Sequence, residues 1–338
     1  MIATGGRGPG TALIGCGRWG RNIARALSDL QALSVVMDAD VARAAEYASQ
    51  LGADAVTDLA SALGRPDVVA VAVAVPAADH FSVVEQALEA GKHVFVEKPL
   101  ALSLPEARVL AQKARARGVT LMVGHLLQYH PAFVRLRELV KEGAIGPVRH
   151  VTSNRLNPGA IRTEENALWS LAPHDFSMVL ALTGVRPSAV QALATRVVDP
   201  AVPDQFAVLM TFPEDVTAQV NVSWLSPFKE HKLTVLGADG ALVFDDTGPA
   251  GRKLVLYRDY IDRDDGALAF RKGPGEPIRF PEEEPLKAEM AWFLECVQGL
   301  RTPRTGAEEA IPVLELLEQA SMAAGLGRPA EPAALAGE

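Results

Sequence analysis

The chain has 338 residues, 49% of them hydrophobic and 22% charged, with a formal net charge of −8. That profile fits a soluble globular protein of about two domains, and without a basic block it disfavours a nucleic-acid partner. The longest apolar run, Val68 to Val75, is far too short to cross a bilayer. The leading MIATGGRGPG lacks the apolar core of a signal peptide and reads as a loose tail. Cys16 and Cys296 form neither a disulfide framework nor a metal-ligand spacing, so no metal and a reduced, cytoplasmic setting are expected.

In chain order, TALIGCG reads as a strand, GRNIARALSDL as a helix and LSVVMD as a second strand. The helix ADVARAAEYASQLG, the strand DVVAVAV, the helix DHFSVVEQALEAG and the strand KHVFVE follow, then the segment ALSLPEARVLAQKARARG and the strand VTLMVG. Near-continuous apolar strands alternating with helices imply a doubly wound parallel sheet covered on both faces. Gly52, Gly91 and Gly118 stand where helix-ending glycines belong.

Beyond about residue 125 the pattern changes to VRHVTSN, SAVQALATRVV, QFAVLMTF, VTAQVNVSW, HKLTVLG, GALVFDD and KLVLYRDYI. In VTAQVNVSW the apolar residues alternate with polar ones, the period of two of a sheet with one packed face. The turns PED (213–215) and GADG (237–240) suit antiparallel neighbours. A loop-like stretch from Asp262 to Pro285 leads to two final helices, LKAEMAWFLECVQGL and AIPVLELLEQASMAAG. The expected division is a dinucleotide-binding domain over 1–124, an α+β substrate domain with a large, mainly antiparallel open sheet over 125–284, and C-terminal helices and tail over 285–338 that pack with both.

IGCGRWGRN places Gly15, Gly17 and Gly20 in a GxGxxG pattern between a strand and a helix. Glycines there let the backbone approach a pyrophosphate, and the helix start supplies N–H donors. Asp38 ends the next strand, where a carboxylate can accept from both ribose hydroxyls and would repel a 2′-phosphate, so NAD is favoured over NADP. His80, after Val75 and Pro76, falls beyond a strand C-terminus, where ligand crevices form; a solvated helix-start histidine is the alternative. Glu97, Lys98 and Pro99 end the strand HVFVE at the same edge. A base there would project beside a nicotinamide, and a surface lysine in a turn is the competing reading. In LWSLAPHDFSMVLALTG, Pro173 is expected to open a helix with His174 and Asp175 in its first turn, a place that favours a neutral histidine; packing alone is the alternative. Asn154, Arg155, Asn157, Arg162 and Asn166 crowd a loop-like stretch whose donors suit a sugar or diphosphate, unless it is merely solvated.

Taken together, GCGRWG, GKHVFVEKPLALS, the histidine near a helix start and the closing PLKAEMAWFLECVQG segment resemble the Gfo/Idh/MocA oxidoreductases. The resemblance covers nearly the whole chain and implies an N-terminal Rossmann domain, Lys98 as a catalytic or substrate-positioning residue, a cis bond before Pro99, and His174 as partner of Lys98. It departs from the family at Ser170, where many members carry an aspartate four residues before the histidine; here Asp175 follows instead. SNRLN.G.IRTEENALWSLAPHD and MVGHLLQYHPA resemble the nucleotide-sugar branch of the family.

The resemblance therefore implies an NAD-dependent dehydrogenase oxidising a secondary alcohol, C3–OH of a UDP-linked N-acetylhexosamine, with hydride passing to nicotinamide. Lys98 and His174 are the expected catalytic pair, and burial beside the cofactor's charge should lower the lysine pKa. Gly15, Cys16, Gly17, Arg18, Trp19, Gly20, Asp38, Val75, Pro76, His80, Glu97 and Lys98 are the expected cofactor contacts. His125, Tyr129, Arg155, Asn157, Arg162, Asn166, Trp169 and His174 are the expected substrate contacts. No nucleic acid or membrane partner is expected, and the open sheet is the expected homo-oligomer contact. An inositol, free-sugar or deoxysugar keto-group oxidoreductase of the same fold stays open, as does a non-catalytic nicotinamide-binding regulator.

Overall fold

Six parallel strands build the first sheet: Thr11–Ile14 (β1), Leu33–Met37 (β2), Asp54–Val56 (β3), Ala70–Val73 (β4), His93–Glu97 (β5) and Leu121–Gly124 (β6), in the order β3-β2-β1-β4-β5-β6. The helices Gly20–Asp29 (α1), Val41–Leu51 (α2), Leu59–Leu63 (α3), His80–Glu89 (α4) and Leu104–Arg117 (α5) connect them. β1, β4 and β6 are buried at every residue, which is why their sequences are apolar without alternation. β3 and α3 have no counterpart in the sequence pattern. An edge strand of three residues, two of them exposed, carries no apolar run to announce it.

The computed structural model describes residues 8–159, 161, 165–258, 261–262, 269–270 and 273–327. Its described residues fall into two units, one within 8–129 and 283–314, the other within 130–282 and 315–327. The first unit thus reaches Tyr129 and takes in the helix Pro285–Val297, which the sequence reading places in a separate C-terminal part. Leu286, Met290, Phe293 and Leu294 of that helix share a buried cluster with Leu13, Phe95, Met122 and Tyr129. Phe293 is fully buried and 5.9 Å from Phe95, ring to ring. Truncating such a ring to alanine costs ~3–5 kcal/mol, so the helix is part of this core rather than an appendage.

The second unit begins with a helix unassigned in the sequence reading, Pro131–Lys141 (α6), whose His130 cap accepts from the Ala132 N–H. Its sheet comprises Val148–Pro158 (β7), Ala189–Thr195 (β8), Gln205–Thr211 (β9), Thr217–Ser223 (β10), Leu225–Gly237 (β11), Gly240–Asp245 (β12), Leu254–Arg258 (β13) and, two elements further on, Glu276–Pro277 (β16). Ile261–Asp262 (β14) and Ala269–Phe270 (β15) pair with each other. The large sheet runs β16-β13-β12-β11-β7-β10-β9-β8, antiparallel except where β10 pairs with β7. The PED and GADG turns join antiparallel neighbours as read from the sequence.

Ala167–Thr183 (α7) packs on the β10, β7 and β9 side of this sheet. Asn166 caps its start by accepting from the Trp169 N–H at 3.1 Å, and Gly184 ends it at φ 69°. Pro173 therefore lies inside the helix rather than opening it, and His174 is in mid-helix. The remaining helices are Pro285–Val297 (α8) and Ala307–Ala323 (α9). No helix among the described residues is long and apolar enough to cross a membrane.

Candidate active site

In the first unit, the strand C-termini on both sides of the β1–β4 junction deliver a continuous set of polar and glycine residues. Between β1 and α1, Gly15 adopts φ +95°, and a Cβ there would stand 2.8 Å from the Ala74 carbonyl oxygen. A Cβ on Gly20 would lie 2.1 Å from the Gly15 carbonyl oxygen, so these two glycines are required by the fold itself. Gly17 differs: a Cβ there meets nothing within 4 Å, and Gly17, Arg18 and Trp19 are exposed. The loop thus holds open backbone at a helix N-terminus, the cradle a dinucleotide pyrophosphate needs.

Asp38, largely buried after β2, accepts from the Cys16 N–H at 2.7 Å and the Asp40 N–H at 2.9 Å. Arg43, missed by the sequence reading, reaches both oxygens through Nη1, at 3.4 and 3.5 Å, so a ribose hydroxyl would share this carboxylate with it. Cys16 itself is buried, and its thiol is pushed up to about 12 by burial and then by Asp38; it contributes its backbone, not its sulfur.

β5 ends in Glu97, Lys98 and a cis bond to Pro99, as the family resemblance implies. Glu97 accepts from Trp19 Nε1 and from the Lys98 N–H, tying the glycine loop to the end of β5. Burial raises its carboxyl to about 7, against the opposing pull of Lys98 and Trp19. A Cβ on Gly124 of neighbouring β6 would come 3.1 Å from both Glu97 oxygens, which accounts for glycine at that strand end. Glu289 of α8 is fully buried, one of its oxygens has no hydrogen-bond partner, and burial, then the charge of Glu97, raises its pKa well above the usual range. An acid inside the apolar stripe Leu286, Met290, Phe293 is the signal by which the sequence could have revealed it.

His125 is buried with Nδ1 unpartnered, and burial, then the charge of Lys98, lowers its pKa to about 3. It is a neutral imidazole in the electrostatic range of Lys98. His80 is a correction. Rather than lining a crevice, it is buried with Nδ1 2.7 Å from the Pro99 carbonyl and Nε2 3.0 Å from the Val75 carbonyl. Its ring braces the Lys98–Pro99 turn against the end of β4; Val75 is half-buried and Pro76 exposed. Tyr129 is a second correction: it is buried, its hydroxyl hydrogen-bonds Thr305, and its ring packs near Trp292. An aromatic alcohol so satisfied is core.

The second unit holds the other candidates, and several change role. Arg155 is not on a loop but buried in β7, with Nε 2.7 Å and Nη2 3.2 Å from the two Asp175 oxygens. Asn157, also in β7, accepts from His231 Nε2 at 3.0 Å. Asn166 is spent as the α7 cap, and Trp169 is buried with Nε1 donating to Ser321. His174 is half-buried on α7, without the helix-start environment expected of it. Arg162 lies outside the described residues. Lys98 and His174 belong to different units.

Residues 10–125 match the model of an oxidoreductase family with an NAD-binding Rossmann fold, and residues 133–243 match the GFO/IDH/MocA C-terminal domain. The chain is 34% identical over 189 residues to UDP-N-acetylglucosamine 3-dehydrogenase of Acidithiobacillus ferrooxidans, spanning 56% of this chain and 58% of that enzyme's length. The solved structure of that enzyme superposes with TM-score 0.82 at 27% identity, over 93% of this chain and 96% of the other. GenD2 from gentamicin A biosynthesis, in complex with NAD, superposes with TM-score 0.79 at 28% identity, over 95% of each chain. Inositol 2-dehydrogenase of Rhizobium meliloti is 28% identical over 73% of this chain and 79% of that enzyme.

Proposed function

The chain belongs to the Gfo/Idh/MocA oxidoreductase family, and from that premise we propose an NAD-dependent dehydrogenase that oxidises C3–OH of a UDP-linked N-acetylhexosamine. The coarser activity, NAD(P)-dependent oxidation of a CH–OH group on a sugar-type substrate, follows from membership. The single observation that carries the reading is Lys98, a base directly after β5, next to the Glu97 that binds Trp19 of the glycine loop and close enough for its charge to act on the neutral His125. The likeness to the acidithiobacillus enzyme supports the choice of sugar.

The residues fit the cofactor. The open backbone at Gly17 would hold the pyrophosphate, Asp38 the adenosine ribose, and the region of Trp19, Glu97 and Lys98 the nicotinamide end. When bound, nicotinamide supplies the acceptor for the two electrons leaving the substrate carbon. Lys98 takes the hydroxyl proton, and the family resemblance gives His174 a part in proton handling. His80 holds the turn that carries Lys98, and His125, kept neutral, adds no second positive charge beside it. Asp38 sets the preference for NAD.

One observation favours the second reading, a free sugar or inositol. Arg155 is committed to Asp175, which withdraws one expected cation from a diphosphate. A panel of UDP-sugars, dTDP-sugars, free sugars and inositols with NAD, followed at the nicotinamide absorbance, decides between them; turnover of free polyols alone would sink the nucleotide-sugar reading. On the true substrate, Lys98→Met should lower kcat by ~10²–10⁴-fold while NAD binds within a few-fold. If Lys98 and His174 act as one unit, Lys98→Met with His174→Asn should be little worse than the more impaired single variant. Near-normal turnover in Lys98→Met would refute the mechanism.

A further inference from the structure

Within the second unit, Asn157, His231, Arg155, Asp175 and Ser153 form one unbroken chain of hydrogen bonds. Asp175 is fully buried; one oxygen accepts from Ser153 Oγ at 2.6 Å and Arg155 Nη2 at 3.2 Å, the other from Arg155 Nε at 2.7 Å. Arg155 Nη1 faces His231 Nδ1 at 3.4 Å. A guanidinium can only donate, so Nδ1 must accept and the imidazole proton sits on Nε2, which donates to Asn157 Oδ1 at 3.0 Å. Every link has one possible sense. Burial, then the charge of Arg155, lowers the His231 pKa to about 4, so the neutral ring persists at physiological pH.

Such a network is a poor source of stability, because apolar side chains of similar volume often serve a core as well as a buried ion pair. What it supplies is position. Pro173 lacks an N–H and deprives the Trp169 carbonyl of its partner one turn back, so the ladder of α7 is interrupted beside His174. Asp175, two residues beyond, is pinned to the sheet through both oxygens. Successive helical residues are separated by about 100°, so fixing Asp175 fixes the bearing of His174.

We propose that His231 is a positioning residue for His174: as the Nε2-protonated imidazole it holds the Arg155 guanidinium on Asp175, and Asp175 sets the rotation of α7 that presents His174. This rests on the reading of His174 as a proton-handling group.

The test compares His231→Ala, His231→Gln and His174→Asn by the proton resonances of the imidazole rings and by turnover. The chain has seven histidines, and the His174 resonance is assigned by its loss in His174→Asn. His231→Ala should displace that resonance, lower kcat by up to ~10²-fold and leave NAD affinity within about twofold. His231→Gln, which retains an acceptor and a donor, should restore most of both signals. His231→Ala combined with His174→Asn should be no slower than His174→Asn alone. An unmoved His174 resonance, a Gln variant no better than Ala, or additive losses would overturn the proposal. If His174→Asn turned over normally, the functional reading of His174 would fail, while the resonance would still report whether His231 holds α7. Should His231→Ala not fold, Asn157→Ala, which removes only the Nε2–H acceptor, takes its place with the same expected displacement.

Discussion

The ionisation of Glu97 should be visible in the stability of the fold. Burial holds its carboxyl at about 7 in the folded chain, against an ordinary 4.5, with Lys98 and Trp19 pulling the other way. Between those two values the folded chain binds more protons than the unfolded chain. Stability therefore falls as pH rises through that window and is level above it. Each pH unit of the window costs about 1.4 kcal/mol, so the loss reaches at most ~3 kcal/mol. Glu97→Gln removes the titration, while its amide oxygen can still accept from Trp19 Nε1–H. Urea unfolding of both proteins across pH 4 to 8 reads the effect as the difference between them. The variant and the parent should be close at pH 4, and the variant more stable by ~2–3 kcal/mol at pH 8. Glu289 is raised as well, by burial and then by the charge of Glu97. A difference between Glu97→Gln and the parent that does not change with pH would refute the placing of a titrating carboxyl at the end of β5.

The glycine loop should separate fold from ligand. Gly17→Ala has room for its methyl group and should leave the melting temperature unchanged while weakening NAD about tenfold or more, measured by nicotinamide-cofactor titration; Gly20→Ala, forced onto the Gly15 carbonyl, should instead lose ~1–3 kcal/mol of stability. Equal behaviour of the two variants would contradict this division. Asp38→Ser removes a carboxylate whose charge-assisted bonds are worth ~1.5–3 kcal/mol each, so NAD should weaken by tenfold or more. It also releases Arg43 to meet a 2′-phosphate, so the preference for NAD over NADP should narrow or reverse, and Arg43→Ala in the same background should abolish that gain; dissociation constants for both cofactors read this directly.

What was legible in the sequence was whatever local backbone demands fix. Gly15 and Gly20 occupy a turn that admits no side chain, and the end of β5 concentrates unlike residues where a core strand should be apolar. The misreadings share a different cause, since each depended on a partner distant in the chain. Arg155 reads as a loop donor until Asp175 claims it, although Val151, Ser153, Arg155 and Asn157 continue one strand face by period two. Tyr129 reads as a ligand contact until Thr305, 176 residues on, takes its hydroxyl.

The sequence reading opens α7 at Pro173 and gives Asn166 to the substrate, whereas the structure starts the helix at Ala167 with Asn166 as its cap. Running the helix through Pro173 forfeits one backbone hydrogen bond, but the residues gained, 167–172, carry Leu168, Trp169 and Ala172 into the core. That choice bears on the chemistry. A carboxylate four residues before His174 would share its helix face, but Ser170 stands there. Asp175 is only one residue away, where neighbours on a helix do not face each other, and its oxygens are spent on Arg155 and Ser153. An acid on α7 relaying a proton through His174 therefore finds no support at either position, and on the proposed reading the first proton from the substrate falls to Lys98.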